Sequence, residues 1–321
     1  MEALGCYHEA LTNISPPGTG CHAALLSVAN YGVMAGKDPQ EIHDDLRRAI
    51  PSGTRRIPDR EIQDAIRKAM GDLNRGTYTP RPRPEPMVQD GMVALRRIIN
   101  QAKITTDVDL WECSPIHLPD EPQGDPVLLL ETLYEPTDLV WFGERHQAGI
   151  MGETIMAVRD WIAYIRCGGK TGPHIIPNPL TGTSTPKKSG AGETLRGDGN
   201  ISAYRFCMAE FDGLSREDQI KFWSAVKLPI VALIDSGGKS IHAWLQVSKL
   251  ATVTTPEQWA TEIKGRLYDR ILTPLGVDAA CTNPARLSRL PGHYREEKAA
   301  YQRLLWLSAE GRSICSTLKS R

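Results

Sequence analysis

The stretches YRFCMAEFD, residues 204–212, and IDSGGKSIHAWLQV, residues 234–247, decide what this sequence predicts about fold and function. The first is typical of a strand that ends in two carboxylates, Glu210 and Asp212. Residues two apart on a strand project to the same face, so we expect these side chains to lie side by side. Adjacent carboxylates repel each other unless a cation lies between them, and Mg²⁺ takes such oxygen ligands. The alternative is an ordinary strand end followed by a polar loop, with Gly213 making the turn.

The second stretch is typical of a strand, a glycine turn and another strand. Gly237 and Gly238 let the backbone pass close to an anion, and Lys239 adds a cation beside that turn. Ser240 and His242 share one face of the following strand, which suits contacts with a triphosphate. The GGKS run is not a P-loop, because a P-loop opens a helix and this sequence continues as a strand. A tight hairpin with a core histidine is the alternative.

A third stretch, residues 277–292, reads VDAACTNPARLSRLPG. It supplies one more carboxylate, Asp278, and two arginines three residues apart, Arg286 and Arg289. This spacing places the two arginines near each other if they lie on a helical turn, and guanidinium groups bind phosphate in a bidentate manner. The alternative is a helix start, capped by Asp278 or Asn283, with two surface arginines.

In this order the motifs resemble the archaeo-eukaryotic primase superfamily, the primase-polymerases. That family carries DxD or ExD on a strand, then SxH, then a further acidic residue, here Glu210–Asp212, Ser240–His242 and Asp278. The phrase ARLSRLPG, residues 285–292, is similar to a segment common in phage and plasmid members. The resemblance covers about residues 130–310 and implies an α/β (α+β) catalytic domain with an RRM-like mixed sheet.

The resemblance also implies roles for the site residues. The divalent metals, Mg²⁺ or Mn²⁺, would be held by Glu210, Asp212 and Asp278, with Asp235 as a competing third ligand. The nucleotide phosphates would be contacted by Lys239, Ser240, His242, Arg286 and Arg289.

The implied function is DNA-directed nucleotidyl transfer: primer synthesis or extension on single-stranded DNA with NTP or dNTP, in replication of a phage or mobile element. No helicase P-loop follows the motifs, so a helicase is expected from another polypeptide. One alternative is a replication-initiation or DNA-binding module with reduced catalysis. Another is a nuclease that uses the same carboxylates, but a nuclease needs no triphosphate pocket.

Domain organisation follows from changes in composition along the chain. We predict a helical accessory domain over 1–76, a proline-rich linker with a connecting helix over 77–126, and the catalytic domain over 127–321. Within the first domain, helices are expected at about 22–34, from Asp38-Pro39 onward, and from Pro58-Asp59 to about 71.

In the third region, short apolar runs alternate with amphipathic stretches. The runs predict strands at 127–134, 139–142, 201–211, 228–235 and 240–247. The amphipathic stretches predict helices at 153–165, 216–226 and 256–271.

The composition of the chain limits which of these interpretations are possible. The 321 residues have a formal net charge of zero, which does not exclude a local basic groove. Seven cysteines without a CxxC pair fit a reducing cytoplasm rather than a disulfide scaffold. No window approaches 18 apolar residues and no secretory signal is visible, so neither membrane insertion nor secretion is expected. Zinc ligation at Cys6, His8, Cys21 and His22 is disfavoured, because their spacing matches no common zinc finger.

Overall fold

The computed structural model describes residues 3–14, 21–52, 56–74, 87–188, 190 and 192–317. The chain divides into two compact units, Met1–Pro84 and Glu85–Arg321. The proline-rich segment 77–86, predicted as a linker, lies outside the described residues.

The first unit is helical throughout its described part. Its helices are α1 (Ala3–Thr12), α2 (Cys21–Met34), α3 (Pro39–Ala49) and α4 (Asp59–Asn74). The three predicted helices are confirmed, and α1 was not predicted. Asp38 caps α3 by accepting the Gln40 N–H, with Pro39 at the first helical position, where its missing N–H costs nothing. Apolar side chains from all four helices form a common core.

The second unit combines helices with antiparallel sheets, so the predicted α+β class is confirmed. Its helices are α5 (Met87–Asn100), α6 (Asp107–Glu112), α7 (Asp125–Leu133), α8 (Val158–Arg166), α9 (Arg216–Ala225), α10 (Pro256–Gln258), which continues as a π-helix over Trp259–Leu272, and α11 (Ile314–Thr317). Its strands are β1 (Leu139–Gly143), β2 (Ile155–Ala157), β3 (His174–Ile175), β4 (Thr185–Pro186), β5 (Glu193–Thr194), β6 (Phe206–Ala209), β7 (Ile230–Asp235), β8 (Ile241–Gln246), β9 (Ser288–Arg289), β10 (Tyr294–Arg295), β11 (Ala300–Tyr301) and β12 (Arg303–Arg312).

The core of this unit is the antiparallel sheet β12-β7-β8-β6. Strand β7 is apolar along nearly its whole length because helices and loops cover both of its faces, and Ile230 to Ile234 are fully buried. A second antiparallel sheet has the order β2-β1-β3-β9. Two short ribbons, β4-β5 and β10-β11, complete the described strands. The site described below lies where the two sheets meet.

Two predictions of secondary structure are wrong. Residues 127–134 are not a strand: residues 127–133 lie in α7, which begins at Asp125 with Pro126 in its first turn, and Tyr134 is its C-cap. Leu129, Leu130 and Leu133 recur at helical spacing and are buried, so a leucine run that suits either structure was assigned to the wrong one. Residues 153–165 divide into β2 and α8 rather than forming one helix.

The segment that contains Arg286 and Arg289 is also not a helical turn. It begins with a turn in which the Arg286 N–H donates to the Asn283 carbonyl oxygen, and it ends in β9, which pairs with β3. Pro284 and Pro291 flank it, and a proline disfavours the helical conformation in the residue before it. Arg286 therefore follows a turn, and Arg289 projects from a strand.

Within the described ranges, no helix is both long enough and apolar enough to cross a lipid bilayer.

Candidate active site

The register of the main sheet brings the acidic motif to the histidine. Strand β6 pairs with β8 so that Ala209 lies opposite Ala243, which places Glu210 opposite His242. The His242 Nε2 atom lies 3.1 Å from Glu210 Oε2. Between the two carboxylates of the motif, Phe211 is buried against Phe222 and Trp223. The alternation of the strand thus continues past its last paired residue, with Phe211 inward and Glu210 and Asp212 less buried.

A second carboxylate is held against the end of β6 by the backbone. The Asp278 N–H donates to the Glu210 carbonyl oxygen at 2.9 Å, and the Asp278 side chain accepts the Ala280 N–H. Ligand atoms of Glu210, Asp278 and Cys281 lie within 4.8 Å of one another. Burial raises the pKa of the Cys281 thiol to about 12, so this sulfur stays protonated. The cluster therefore offers carboxylate oxygens, which suit a hard divalent cation.

The pKa values of the motif carboxylates move in opposite directions. Burial alone would raise the pKa of Glu210, but hydrogen bonds from His242 and Ser240 and the nearby Arg286 charge outweigh it and lower that pKa to about 2. The pKa of Asp212 is raised by burial and then by the negative charges of Glu210 and Asp278. A bound divalent cation would relieve the repulsion among these carboxylates, so the residues present fit such an ion.

Arg286 neutralises part of this negative charge. Its Nη2 lies 3.3 Å from Asp278 Oδ2 and 3.8 Å from Glu210 Oε1. A guanidinium group between two carboxylates holds them in place without blocking their remaining oxygen lone pairs.

The hydrogen-bond partners of His242 assign its proton. The Arg289 N–H donates to Nδ1 at 3.3 Å. Ser288 Oγ accepts the Trp244 indole N–H at 2.7 Å, which leaves the Ser288 hydroxyl to donate to the same Nδ1 at 3.2 Å. Because indole and backbone N–H groups only donate, Nδ1 is an acceptor and the proton of the neutral ring lies on Nε2. His242 therefore donates from Nε2 to Glu210.

These residues border a cavity of about 580 Å³. Of the residues predicted from the sequence, the structure brings Glu210, Ser240, His242, Arg286 and Arg289 to its lining. Asp278 lies beside Glu210 but does not line the cavity. Asp212 is exposed and near enough for the Glu210 and Asp278 charges to raise its pKa, but it lies outside the group of close ligand atoms and does not line the cavity either. Lys239 is exposed and also does not line it.

The lining of the cavity also carries basic residues that the sequence did not indicate. They are Arg145, His174, His293 and Arg295. His174 faces Arg289 across the β3–β9 pair, and its Nε2 accepts from Arg289 Nη1 at 3.0 Å. Burial, and then the charge of Arg289, lowers the pKa of His174 to about 4. His174 is thus a neutral acceptor that orients the Arg289 guanidinium toward the cavity.

The competing carboxylate Asp235 lies on the other face of the sheet. Ile234 faces His242 across the β7–β8 pair, and Asp235 faces Ile241, so Asp235 projects away from His242. Its Oδ1 lies 2.8 Å from Arg216 Nη1 and accepts the Gly237 N–H. Asp278, rather than Asp235, is therefore the carboxylate that the structure brings to Glu210.

The four possible zinc ligands near the N-terminus do not form a comparable group. Among the described residues, the only set of three metal-capable side chains within ligand distance is Glu210, Asp278 and Cys281. His22 is exposed and lies 3.5 Å from Glu61, while Cys21 is buried in the helical core.

No protein-family model matches the chain, and no curated protein matches it. A solved structure, the AEP domain of the cyanophage S-2L primase-polymerase (PrimPol), aligns with 16% sequence identity and a TM-score of 0.40. The alignment covers 63% of this chain and 98% of that chain. A likeness at this level carries no argument about function.

Proposed function

We propose that the chain is a DNA-directed nucleotidyltransferase, a primase-polymerase that makes or extends primers on single-stranded DNA. One observation carries the proposal. Glu210, the ionised member of the Glu210–Asp278 carboxylate pair, lines a cavity of about 580 Å³ whose lining also includes arginine and histidine side chains. Nucleotidyl transfer needs both kinds of group, because the reacting α-phosphate requires cations held by carboxylates and the leaving pyrophosphate requires basic side chains.

Glu210, Asp212 and Asp278 would hold Mg²⁺ or Mn²⁺. When bound, such an ion supplies Lewis-acid stabilisation of charge on the phosphate oxygens. The chain's own residues bind and orient. His242 fixes the Glu210 carboxylate through its Nε2 proton, and Arg286 screens the carboxylates from one another. In the reaction the 3′-hydroxyl loses its proton to water and its oxygen bonds to the α-phosphorus. The bond from the α-phosphorus to the oxygen that bridges to the β-phosphate breaks, and pyrophosphate leaves with that electron pair.

The basic side of the cavity would bind the nucleotide's phosphates. Arg289 is oriented by its contact with His174, and Ser240, which directly precedes β8, lines the cavity and hydrogen bonds to Glu210. The proposed substrates are NTP or dNTP and a single-stranded DNA template, with helicase activity from another polypeptide.

The proposal is tested by template-dependent nucleotide incorporation on single-stranded DNA with Mg²⁺ or Mn²⁺. We expect incorporation by the unaltered chain, none with a chelator, and loss in the variants Asp212→Ala and His242→Ala. Asp269→Ala removes an exposed carboxylate from the helical segment Trp259–Leu272 and is the matched control.

Activity that survives Asp212→Ala would refute the metal assignment. Tight binding of single-stranded DNA without incorporation under either metal would favour the DNA-binding alternative, a replication-initiation module with reduced catalysis.

A further inference from the structure

Arg295, in the β10–β11 ribbon, contacts the glycine turn at Gly237 and Gly238. Arg295 Nη1 donates to the Ser236 carbonyl oxygen at 2.9 Å. A Cβ on Gly238 would lie 3.4 Å from that nitrogen, and Gly237 has a φ of +66°, a conformation that favours glycine. The turn whose backbone was predicted to bind an anion thus also binds a cationic side chain, through the Ser236 carbonyl oxygen.

The other edge of this guanidinium group is occupied by a carboxylate. A single oxygen, Glu297 Oε1, lies 2.8 Å from Arg295 Nε and 2.6 Å from Nη2. The Nε and Nη2 groups of an arginine, its fork, bind a phosphate oxygen in the same geometry. The Arg295 side chain is 14% exposed, whereas that of Glu297 is 62% exposed. Arg295 is therefore the fixed partner, and Glu297 can turn away into solvent.

We propose that the Arg295 fork is a phosphate subsite for the nucleotide's triphosphate, and that Glu297 occupies this fork until the triphosphate displaces it. This inference rests on the proposed function, because it assigns a further part of the same cavity. Both residues line that cavity.

The charges around the fork explain why an internal carboxylate is present. Burial lowers the pKa of Arg289, and the neighbouring charges of Arg295 and Arg145 lower it further, whereas Glu210 and then Glu297 raise it. Arg295 and Arg145 are thus close enough to repel Arg289, and Glu297 offsets part of this repulsion. A polyphosphate supplies more negative charge at the same place, so it can replace Glu297 without leaving the arginines uncompensated.

Displacing Glu297 from Arg295 costs little free energy, because an ion pair with one exposed partner contributes little to stability in water. Removing the Glu297 charge also removes its repulsion of the incoming phosphates. We therefore expect Glu297→Gln to tighten triphosphate binding about three- to tenfold at low ionic strength. The neighbouring Glu296→Gln makes the same change in net charge and should alter the affinity less than about twofold.

The test is calorimetric titration of the full chain with inorganic triphosphate in the presence of a chelator. The proteins are the unaltered chain, Glu297→Gln, Glu296→Gln, Arg295→Gln, and the double variant Arg295→Gln with Glu297→Gln. We expect Arg295→Gln to weaken binding and to abolish the gain from Glu297→Gln. A single-stranded oligonucleotide without a terminal triphosphate is titrated in parallel, and its affinity should change less than about twofold.

Three outcomes would overturn the inference: unchanged binding in Glu297→Gln, an equal gain in Glu296→Gln, or a gain that persists without Arg295. A gain for the oligonucleotide alone would assign the fork to the nucleic-acid backbone instead. The result is separable from the proposed function. Triphosphate binding that follows these expectations without any nucleotide incorporation would keep the subsite and refute the polymerase. Nucleotide incorporation by a chain whose triphosphate binding does not depend on Glu297 would keep the polymerase and refute the subsite.

Discussion

The acidic and basic sides of the cavity are built in different ways. The acidic side rests on β6 and β8, neighbouring strands whose buried residues belong to the main core, and its motif residues are two apart in sequence. The residues of the basic side come from the two-residue strands β3, β9 and β10, and from the loop after β1 that carries Arg145. A rigid acidic site faces a basic side assembled from distant segments, which suggests that chemistry is set on one side and phosphate recognition on the other.

The largest effect is expected on the acidic side, from Asp278→Asn. This change keeps the shape but removes a charge that would hold the metal, and we expect incorporation to fall by about a hundredfold or more. Asp235→Asn is the matched control on the opposite face of the sheet and should change the rate less than about threefold. Steady-state incorporation kinetics measure both variants. A greater loss in Asp235→Asn would reverse the assignment of the third ligand.

A smaller effect is expected on the basic side, from Arg289→Lys. Lysine keeps the positive charge but loses the planar guanidinium group that contacts His174 and that would bind a phosphate under the proposed function. We expect KM for the nucleotide to rise about tenfold with a smaller change in kcat, because recognition is altered more than chemistry. A large fall in kcat at constant KM would contradict the division between the two sides.

At the junction of the two sides, Ser288→Ala should lower kcat about three- to tenfold with little change in KM. The hydroxyl helps to keep Nδ1 of His242 an acceptor, so its loss should raise the population of the Nδ1-protonated ring, observable by ¹⁵N NMR. Ser308→Ala removes another buried hydroxyl, one that donates to Glu310 O in β12, and serves as the control. Equal effects of both substitutions would reduce Ser288 to a packing role.

The smallest effect concerns stability and pH. The pKa of His174 is lowered from 6.5 to about 4 in the folded chain, so between these values the unfolded chain binds more protons. Its contribution to stability is complete above pH 6.5 and is lost as the pH falls toward 4. Allowing for partial exposure, the loss between pH 7 and 5 is on the order of 1 kcal/mol. Urea unfolding at both pH values should show a smaller pH dependence in His174→Gln, and an unchanged dependence would contradict this assignment.

The sequence information for the two acidic-side motifs is local. Glu210 and Asp212 follow the last residue of β6, and Ser240 directly precedes β8, on which His242 lies, so strand alternation was enough to predict each pair. Asp278 comes from a distant segment and was predicted only from the resemblance. The basic side was only partly predictable. His174 and Arg289 are 115 residues apart in sequence, and nothing local to either one indicates the pairing of β3 with β9. A signal was present in the HYR run that follows RLPG, since it places two more basic residues beyond the predicted phosphate segment.

The same contrast applies to the fold. Strand β8 and helix α3 were predicted because a strand pattern and a cap with proline are local signals. Helix α7 was misassigned because a short leucine run carries no periodicity that separates a strand from a buried helix. Strand β12 was not predicted, although it pairs with β7 at the edge of the main sheet. Its place depends on contacts with a strand far along the chain.

The most direct test of the central claim is a crystal structure with Mn²⁺ and a non-hydrolysable nucleotide triphosphate. We predict anomalous density within about 2.0–2.6 Å of carboxylate oxygens of Glu210, Asp212 and Asp278. We also predict polyphosphate oxygens on Arg289 and Arg295, with Glu297 turned away. A metal bound elsewhere, or a nucleotide outside the cavity with the carboxylates unoccupied, would contradict these predictions.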